Sequence, residues 1–296
     1  MPHDLDWDVL LRRINRQQCT PFLGAGAAFG ALPLGAELSR EWARQFDYPL
    51  EDCTDLARVA QYLAVTHDAV MPKELIAECF RGVTPPDFHQ PDEPHGVLAD
   101  LPLPIYLTTN YDPFMTLALR DRHRDPRQEL CRWNGAIAHK VSVFDSDLGY
   151  QPTPANPVVY HLHGHLGCTE SLVVSEDDYL DFLVSITRDT GLLPPRIQES
   201  MTGASILFLG YRIADWNFRV LFQSLVGYLE RSVRRVHISV QLAPGSETES
   251  GEQKQKVFSY LNKYYENLKV QVYWGTCRQF AAELRQRWED YRRAAP

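Results

Sequence analysis

The residues of this chain best suited to chemistry fall in three short strings, Gly24-Ala25-Gly26, Thr109-Asn110-Tyr111-Asp112 and His161-Leu162-His163-Gly164. Each closes an apolar run that reads as a buried strand, so a parallel sheet would bring all three to its carboxyl edge, where α/β proteins bind ligands. An amide such as Asn110 can orient a ribose hydroxyl or a water, while the neighbouring Asp112 carboxylate accepts a hydrogen bond. Asp112 also suits the cap of a helix starting near Pro113, which leaves Asn110 the better chemical candidate. His163 precedes a glycine that would leave room for a substrate and is suited to general-base work, whereas His161 reads as a core residue. The alternation of His161, His163 and His165 invites a metal site as well. Gly164 would turn the strand before His165, however, and no cysteine pair completes a ligand set, so no metal is expected. Gly24 and Gly26 permit close backbone approach to a pyrophosphate at a helix N-terminus. The run to Gly30 departs from G-x-G-x-x-G because its third glycine comes one residue late, so a tight turn without a ligand is an equal alternative for this string alone. Together the three strings describe a dinucleotide pocket.

Positioning such groups requires a regular alternation of strands and helices. A leading helix is read over Asp4 to Gln18, a strand over Thr20 to Leu23, and a helix over Leu34 to Phe46. Residues 50–101 are helix-like in pieces (Asp55 to Val65, Pro72 to Phe80, Pro94 to Leu101) and are read as an inserted helical module. Ile105 to Thr109 reads as a strand and Pro113 to Arg120 as a helix, while Arg122 to Pro157 is polar, proline-rich and read as a surface run. Strands follow at Val158 to Leu162, Leu172 to Ser175, Ser205 to Leu209, Val236 to Val240 and Val270 to Trp274. The helices between and after them are Glu176 to Arg188, Asp215 to Glu230, Gln255 to Tyr265 and Arg278 to Arg293, with a flexible loop at 244–253. The pattern predicts an α/β fold, a Rossmann-like, mainly parallel sheet covered by helices on both faces, within a single domain over 1–296.

With 296 residues the chain can bury a substantial core, and no apolar run is long enough to cross a bilayer. Its N-terminus lacks the pattern of a secretory signal, so a cytoplasmic, membrane-free protein is expected. Cys19, Cys53, Cys79, Cys131, Cys168 and Cys277 are scattered and read as reduced thiols rather than a zinc module. A net charge of −8 argues against a generic nucleic-acid surface. The local basic groups, Arg120, Arg122, Arg124, Arg127 and Arg132 with His123, and later Arg231, Arg234 and Arg235, read as solvated rather than phosphate-binding.

The three strings, taken in order with Gly210-Tyr211-Arg212-Ile213-Ala214-Asp215-Trp216-Asn217, resemble the SIR2 (sirtuin) superfamily, specifically its bacterial SIR2-like branch, over roughly Thr20 to Phe218. The resemblance implies a Rossmann-like domain that cleaves NAD+ at the nicotinamide–ribose bond, with NAD+ as substrate rather than resident cofactor. It implies that Gly24, Ala25 and Gly26 cradle the pyrophosphate, that Asn110 holds the nicotinamide-side ribose or the attacking water with support from Asp112, and that His163 is the base. On the cofactor side it places Thr109, with Gly210 and Tyr211 near the adenosine half. Asp215 and Asn217 are either part of that wall or the cap of the next helix. Protein deacylases of this superfamily carry a zinc held by two C-x-x-C pairs, and here only Cys168 lies near that position. The Asp-Phe-Arg of the family's loop after Gly30 is also missing, so water is the expected acceptor, giving ADP-ribose and nicotinamide. The resemblance further implies an antiphage-defence effector held inactive until triggered. Such an effector would be a homo-oligomer, or work with a separately encoded sensor such as a HerA-like ATPase or a short Argonaute. The alternatives are an NAD-dependent deacylase or ADP-ribosyltransferase, and a subunit of a larger complex that senses NAD+ or ADP-ribose or assists a nuclease.

Overall fold

Strand β1 (Cys19–Leu23) is buried along its whole length because it lies in the middle of a seven-stranded sheet. The other strands are β2 (Ile105–Thr108), β3 (Arg127–Leu130), β4 (Val158–His161), β5 (Ser205–Leu209), β6 (His237–Gln241) and β7 (Val270–Trp274). Their order is β3-β4-β2-β1-β5-β6-β7, and every neighbouring pair is parallel. The computed structural model describes residues 5–147, 149–189, 191–211, 236–242 and 251–294. The helix read over Asp215 to Glu230, the candidate residues Asp215 and Asn217, and Arg231, Arg234 and Arg235 lie outside the described residues. Of the loop read at 244–253, positions 244–250 also lie outside them, and 251–253 open a helix.

The period of two along each strand divides the core into two layers. On one side Cys19, Leu23, Tyr106, Leu207, Leu209, Ile238 and Val240 meet helices α1 (Trp7–Asn15), α5 (Pro94–Ala99), α6 (Phe114–Asp121) and α11 (Cys277–Ala294). On the other, Phe22, Leu107, Val158, Tyr160, Ile206, Phe208 and Val272 meet α8 (Glu176–Arg188), α9 (Pro195–Thr202) and α10 (Gly251–Asn267). Helices therefore cover both faces, as the alternation of elements predicts. Pro21 is compatible with a central strand because β2 joins β1 only from Phe22 onward, past the residue that has no N–H to donate.

Helices α2 (Gly35–Gln45), α3 (Leu56–Thr66) and α4 (Met71–Phe80) form their own cluster through Leu38, Trp42, Val59, Leu63 and Ile76, which closes on Leu172 and Val174. No strand occurs in 50–101, and the last helix of that stretch, α5, is part of the main core rather than of this cluster. The cluster is clasped to α8. Ser175 and Asp178 form a capping box at the start of α8, whose first turn is acidic and so complements the helix dipole. Lys73 of α4 pairs with Asp178 at 2.8 Å, and Gln61 of α3 donates to Asp177 at 2.7 Å.

Three readings need correction. Leu172 to Ser175 is not a strand; it is an extended link whose Val173 N–H donates to the His163 carbonyl, outside any ladder. The surface run Arg122 to Pro157 holds edge strand β3 and the short helix α7 (Val143–Ser146). Strand β3 escapes a hydrophobic-pattern reading because Arg-Gln-Glu-Leu has no apolar alternation and rests on a single neighbour. Helix α9 falls in a stretch for which no element is read from sequence. Arg122 binds Asp100 and the Phe88 carbonyl, Arg124 the Leu101 carbonyl, and Arg132 the carboxylate of Asp145, so these arginines serve the fold.

Candidate functional site

The chain leaves β1 towards β2, β4 and β3 on one side and returns to β5 on the other, so the gap between the carboxyl ends of β1 and β5 is the sheet's switch point. That is where ligands bind in open α/β sheets. Gly24, Ala25 and Gly26 follow β1 there and pass into a 3-10 turn (Ala25–Ala28), while Gly210 and Tyr211 follow β5. The two segments touch: Gly24 N–H donates to the Leu209 carbonyl at 2.8 Å and Gly26 N–H to the Gly210 carbonyl at 3.0 Å. Since Ala27 N–H is bonded to the Gly24 carbonyl as well, the turn is not a nest of free donors; the room left at Gly24 and Gly26 is taken by Tyr211 and Gly210, and Ala25 is the exposed member.

Gly210 has φ +81°, and a Cβ there would overlap the Ala27 nitrogen and the Gly24 oxygen. Gly210→Ala is therefore expected to cost about 1–3 kcal/mol in strain alone. Urea unfolding should show a lowered midpoint, and an unchanged midpoint would mean that the two walls are not in contact.

Tyr211 lies across the same junction, its ring against Phe22 at 5.3 Å. Its hydroxyl donates to the Leu23 carbonyl at 2.7 Å, so the 2.7 Å contact with Thr109 Oγ1 has threonine as donor. Burial raises the phenol well above its ordinary range and keeps it neutral. Thr109 is thus committed to locking Tyr211 in place.

Asn110 is buried, and its Nδ2 donates to the Gly24 carbonyl at 3.1 Å, joining the β2 loop to the β1 loop. Asp112 is buried too and accepts the Phe114 N–H at 2.9 Å, so it caps α6 as its position suggests. Desolvation raises the Asp112 carboxyl above its usual range, opposed by His95, by the backbone N–H bonds and by the Asn110 side chain.

Because Thr108 pairs with His161 across β2 and β4, Asn110 and His163 each stand two residues beyond a registered pair, past the carboxyl ends of adjacent strands. His163 is 5% exposed, its Nε2 has no hydrogen-bond partner among the described residues, and its ring meets Tyr179 at 5.1 Å and Phe182 at 4.8 Å, both from α8. Burial pushes this imidazole down to about 3, so it is neutral at physiological pH. His161 differs from it. Its Nδ1 donates to the Asn110 carbonyl at 3.0 Å, which leaves Nε2 to accept from Gln128 at 3.2 Å. Burial and the neighbouring His165 hold it near 3 as well. His165 lies beyond the turn at Gly164, where φ is +79° and the room left by the missing side chain is taken by Ser171 rather than by a substrate. Its Nδ1 accepts Gly167 N–H, and among the described residues no His, Cys, Asp and Glu grouping fit for a metal occurs.

Several contributors carry no sequence motif. Gln128 sits on the unread strand β3, and Tyr179 and Phe182 are ordinary helix positions. Glu93 and His95, by contrast, occupy a Glu-Pro-His helix start whose capping signal is visible in the sequence.

Sheet order, layer arrangement and the position of the switch point define a Rossmann-like α/β protein. The chain belongs to the SIR2-like domain family, whose profile matches residues 104–269. It is 25% identical over 206 residues to an NAD(+) hydrolase ThsA of Cytobacillus dafuensis, covering 69% of this chain and 37% of that protein. Proteins of the same name from Acinetobacter baumannii and Enterococcus faecium are 25% and 22% identical, covering 77% and 78% of this chain and 43% and 45% of theirs. The chain therefore spans less than half the length of these curated relatives. No helix among the described residues is long and apolar enough to cross a membrane.

Proposed function

We propose that this chain hydrolyses NAD+ at the nicotinamide–ribose bond. The observation that carries the reading is His163: a buried, neutral imidazole with an orphaned Nε2, one strand away from Asn110 at the switch-point edge. A buried nitrogen without a partner is costly, and a ribose hydroxyl or water set against it would supply the missing bond. Three relatives bearing the name NAD(+) hydrolase support the same reading.

The leaving group is a pyridinium, so cleavage of its bond to C1′ releases neutral nicotinamide with the electron pair and leaves a positive, oxocarbenium-like ribose. Asn110 orients the ribose or the incoming water, and the Asp112 carboxylate stabilises the developing charge. Water adds to C1′, and its proton passes to His163 and then to solvent, giving ADP-ribose. Gly24 and Gly26, by lacking side chains, let Tyr211 and Gly210 close on the turn, and the wall so formed, with the exposed Ala25 and with Thr109, is where the pyrophosphate rests. This chemistry calls on no metal.

Incubation of the protein with NAD+ should release nicotinamide and ADP-ribose in equal amounts without any peptide. Formation of O-acyl-ADP-ribose from an acyl-lysine peptide, with no ADP-ribose in its absence, would overturn hydrolysis in favour of deacylation. The family resemblance extends the reading to a cytoplasmic defence effector controlled by self-assembly or by a partner. Nicotinamide release per unit of protein that rises with protein concentration is the expected sign of self-assembly.

A further inference from the structure

We propose that His161, oriented by Gln128, is a positioning residue that sets Asn110 in place relative to His163, through a line of side-chain hydrogen bonds along the carboxyl edge of the sheet. The inference rests on the reading of Asn110 and His163 as the chemical groups of an NAD+-cleaving site.

The line crosses four neighbouring strands, β3, β4, β2 and β1. Gln128 of β3 donates from Nε2 to His161 Nε2 at 3.2 Å, and His161, at the end of β4, donates from Nδ1 to the Asn110 carbonyl at 3.0 Å. Asn110, beyond β2, donates in turn from Nδ2 to the Gly24 carbonyl, beyond β1, at 3.1 Å. A carbonyl only accepts and an amide NH2 only donates, so the two neighbours of the ring select one form of it, the neutral imidazole with its proton on Nδ1. The other tautomer would set donor against donor at Gln128 and acceptor against acceptor at Asn110, and both bonds would be lost.

Asn110 depends on this tie because it stands past the end of the sheet. The registered pairing of β2 with β4 ends at Thr108 and His161, where Leu162 N–H donates to the Thr108 carbonyl at 2.8 Å. The Asn110 N–H turns back to Thr108 Oγ1 at 2.9 Å, a bond within its own segment that sets no distance to β4. His161 supplies the cross-strand bond, and it does so from the strand that carries His163 two residues further on. The imidazole is 0% exposed, both of its nitrogens are engaged, and it stands edge-on to His165 at 5.3 Å. It therefore reaches the reaction only through Asn110. The same line gives edge strand β3 a part at the site, since Gln128 holds the ring from the side away from Asn110.

The test uses the full chain with His161→Asn, His161→Gln and His161→Phe. The amide nitrogen of asparagine falls near the place of histidine Nδ1 and that of glutamine near the place of Nε2, so only His161→Asn keeps the donor to Asn110. His161→Phe and His161→Gln should lower kcat for nicotinamide release about tenfold to a hundredfold with KM little changed, and His161→Asn should recover most of the loss. A residue that merely fills space gives the opposite ranking, because glutamine and phenylalanine replace more of the ring's volume than asparagine does. That ranking, or an unchanged kcat in His161→Phe, overturns the proposal. Should the variants not fold, 15N-histidine spectra of the wild type at pH 7 decide: a His161 ring protonated on Nδ1 alone is expected, and a proton on Nε2 overturns it. Gln128→Leu should populate the Nε2–H form and lower kcat in the same direction, and an unchanged tautomer and kcat would overturn the part given to Gln128. If the wild type releases no nicotinamide, the proposed function fails, and the side-chain amide resonance of Asn110, assigned with Asn110→Ala, decides the positioning. A shift in His161→Phe that reverts in His161→Asn supports it, and no shift overturns it.

Discussion

Replacing His163 with alanine is expected to lower nicotinamide release from NAD+ by about two to four orders of magnitude, the range for removal of a general base. The ring is walled by Tyr179 and Phe182, so truncation leaves a cavity. His163→Phe, which fills that space without a nitrogen, separates lost chemistry from lost volume, and both variants should be inactive while circular dichroism shows them folded. Turnover like the wild type in either one would remove the assigned role. The same side chain carries a signature in stability. Its folded-state value is depressed to about 3, whereas an unfolded imidazole takes up a proton near pH 6.5. Between those limits the unfolded state binds the extra proton, so the contribution is present above about 6.5 and is lost as pH falls towards 3. His161, also near 3, adds a second proton over the same window. Urea unfolding between pH 7 and 4 should show stability falling with acid, and the His163→Phe slope should be shallower by about 1.4 kcal/mol per pH unit.

Asn110→Ala should cost about two to three orders of magnitude in kcat, comparable to removing one preorganised donor from a charge-stabilising site. In the folded protein its amide donates to the Gly24 carbonyl and the side chain also hydrogen-bonds Asp112, losses worth about 1–3 kcal/mol together. The folded state should therefore survive at moderate cost, while turnover collapses. Parallel losses in the two would make Asn110 a strut between loops, and retained turnover would exclude it from the chemistry. Asn110→Asp, with the same shape but no amide donor, should be equally inactive and should also lose the link to Gly24, because a carboxylate cannot donate to a carbonyl.

Much of the architecture is legible in the sequence because six of the seven strands among the described residues are short, largely apolar runs ending in glycine, polar or aromatic punctuation, and a buried parallel strand needs little else. Where burial is one-sided the pattern fades. Strand β3 is held by its ladder to β4 rather than by an apolar face, and Leu172 to Ser175 is apolar because it covers the α2–α4 cluster, not because it joins a sheet. At the site, the short strings locate Asn110 and His163 because they must follow strands. The reason for the glycines is not visible in one dimension: Gly210 is fitted to Ala27 and Gly24, and Gly164 to Ser171, contacts between segments far apart in the chain. Nor does any local motif mark the α8 rings that desolvate His163.

The joining of β1 to β5 has a consequence for how the protein is made. Tyr211 closes the crevice on Leu23, a residue 188 positions earlier, and the whole length of β1 pairs with β5. During synthesis the central strand must wait, with one side unpaired, until β5 has emerged far later in the chain. A nascent chain that has completed β4 already contains Asn110 and His163, yet it lacks the second wall against which a dinucleotide would rest. On the proposed function, competence would thus arrive as one docking event of β5 on β1, and fragments released earlier would carry Asn110 and His163 without the second wall.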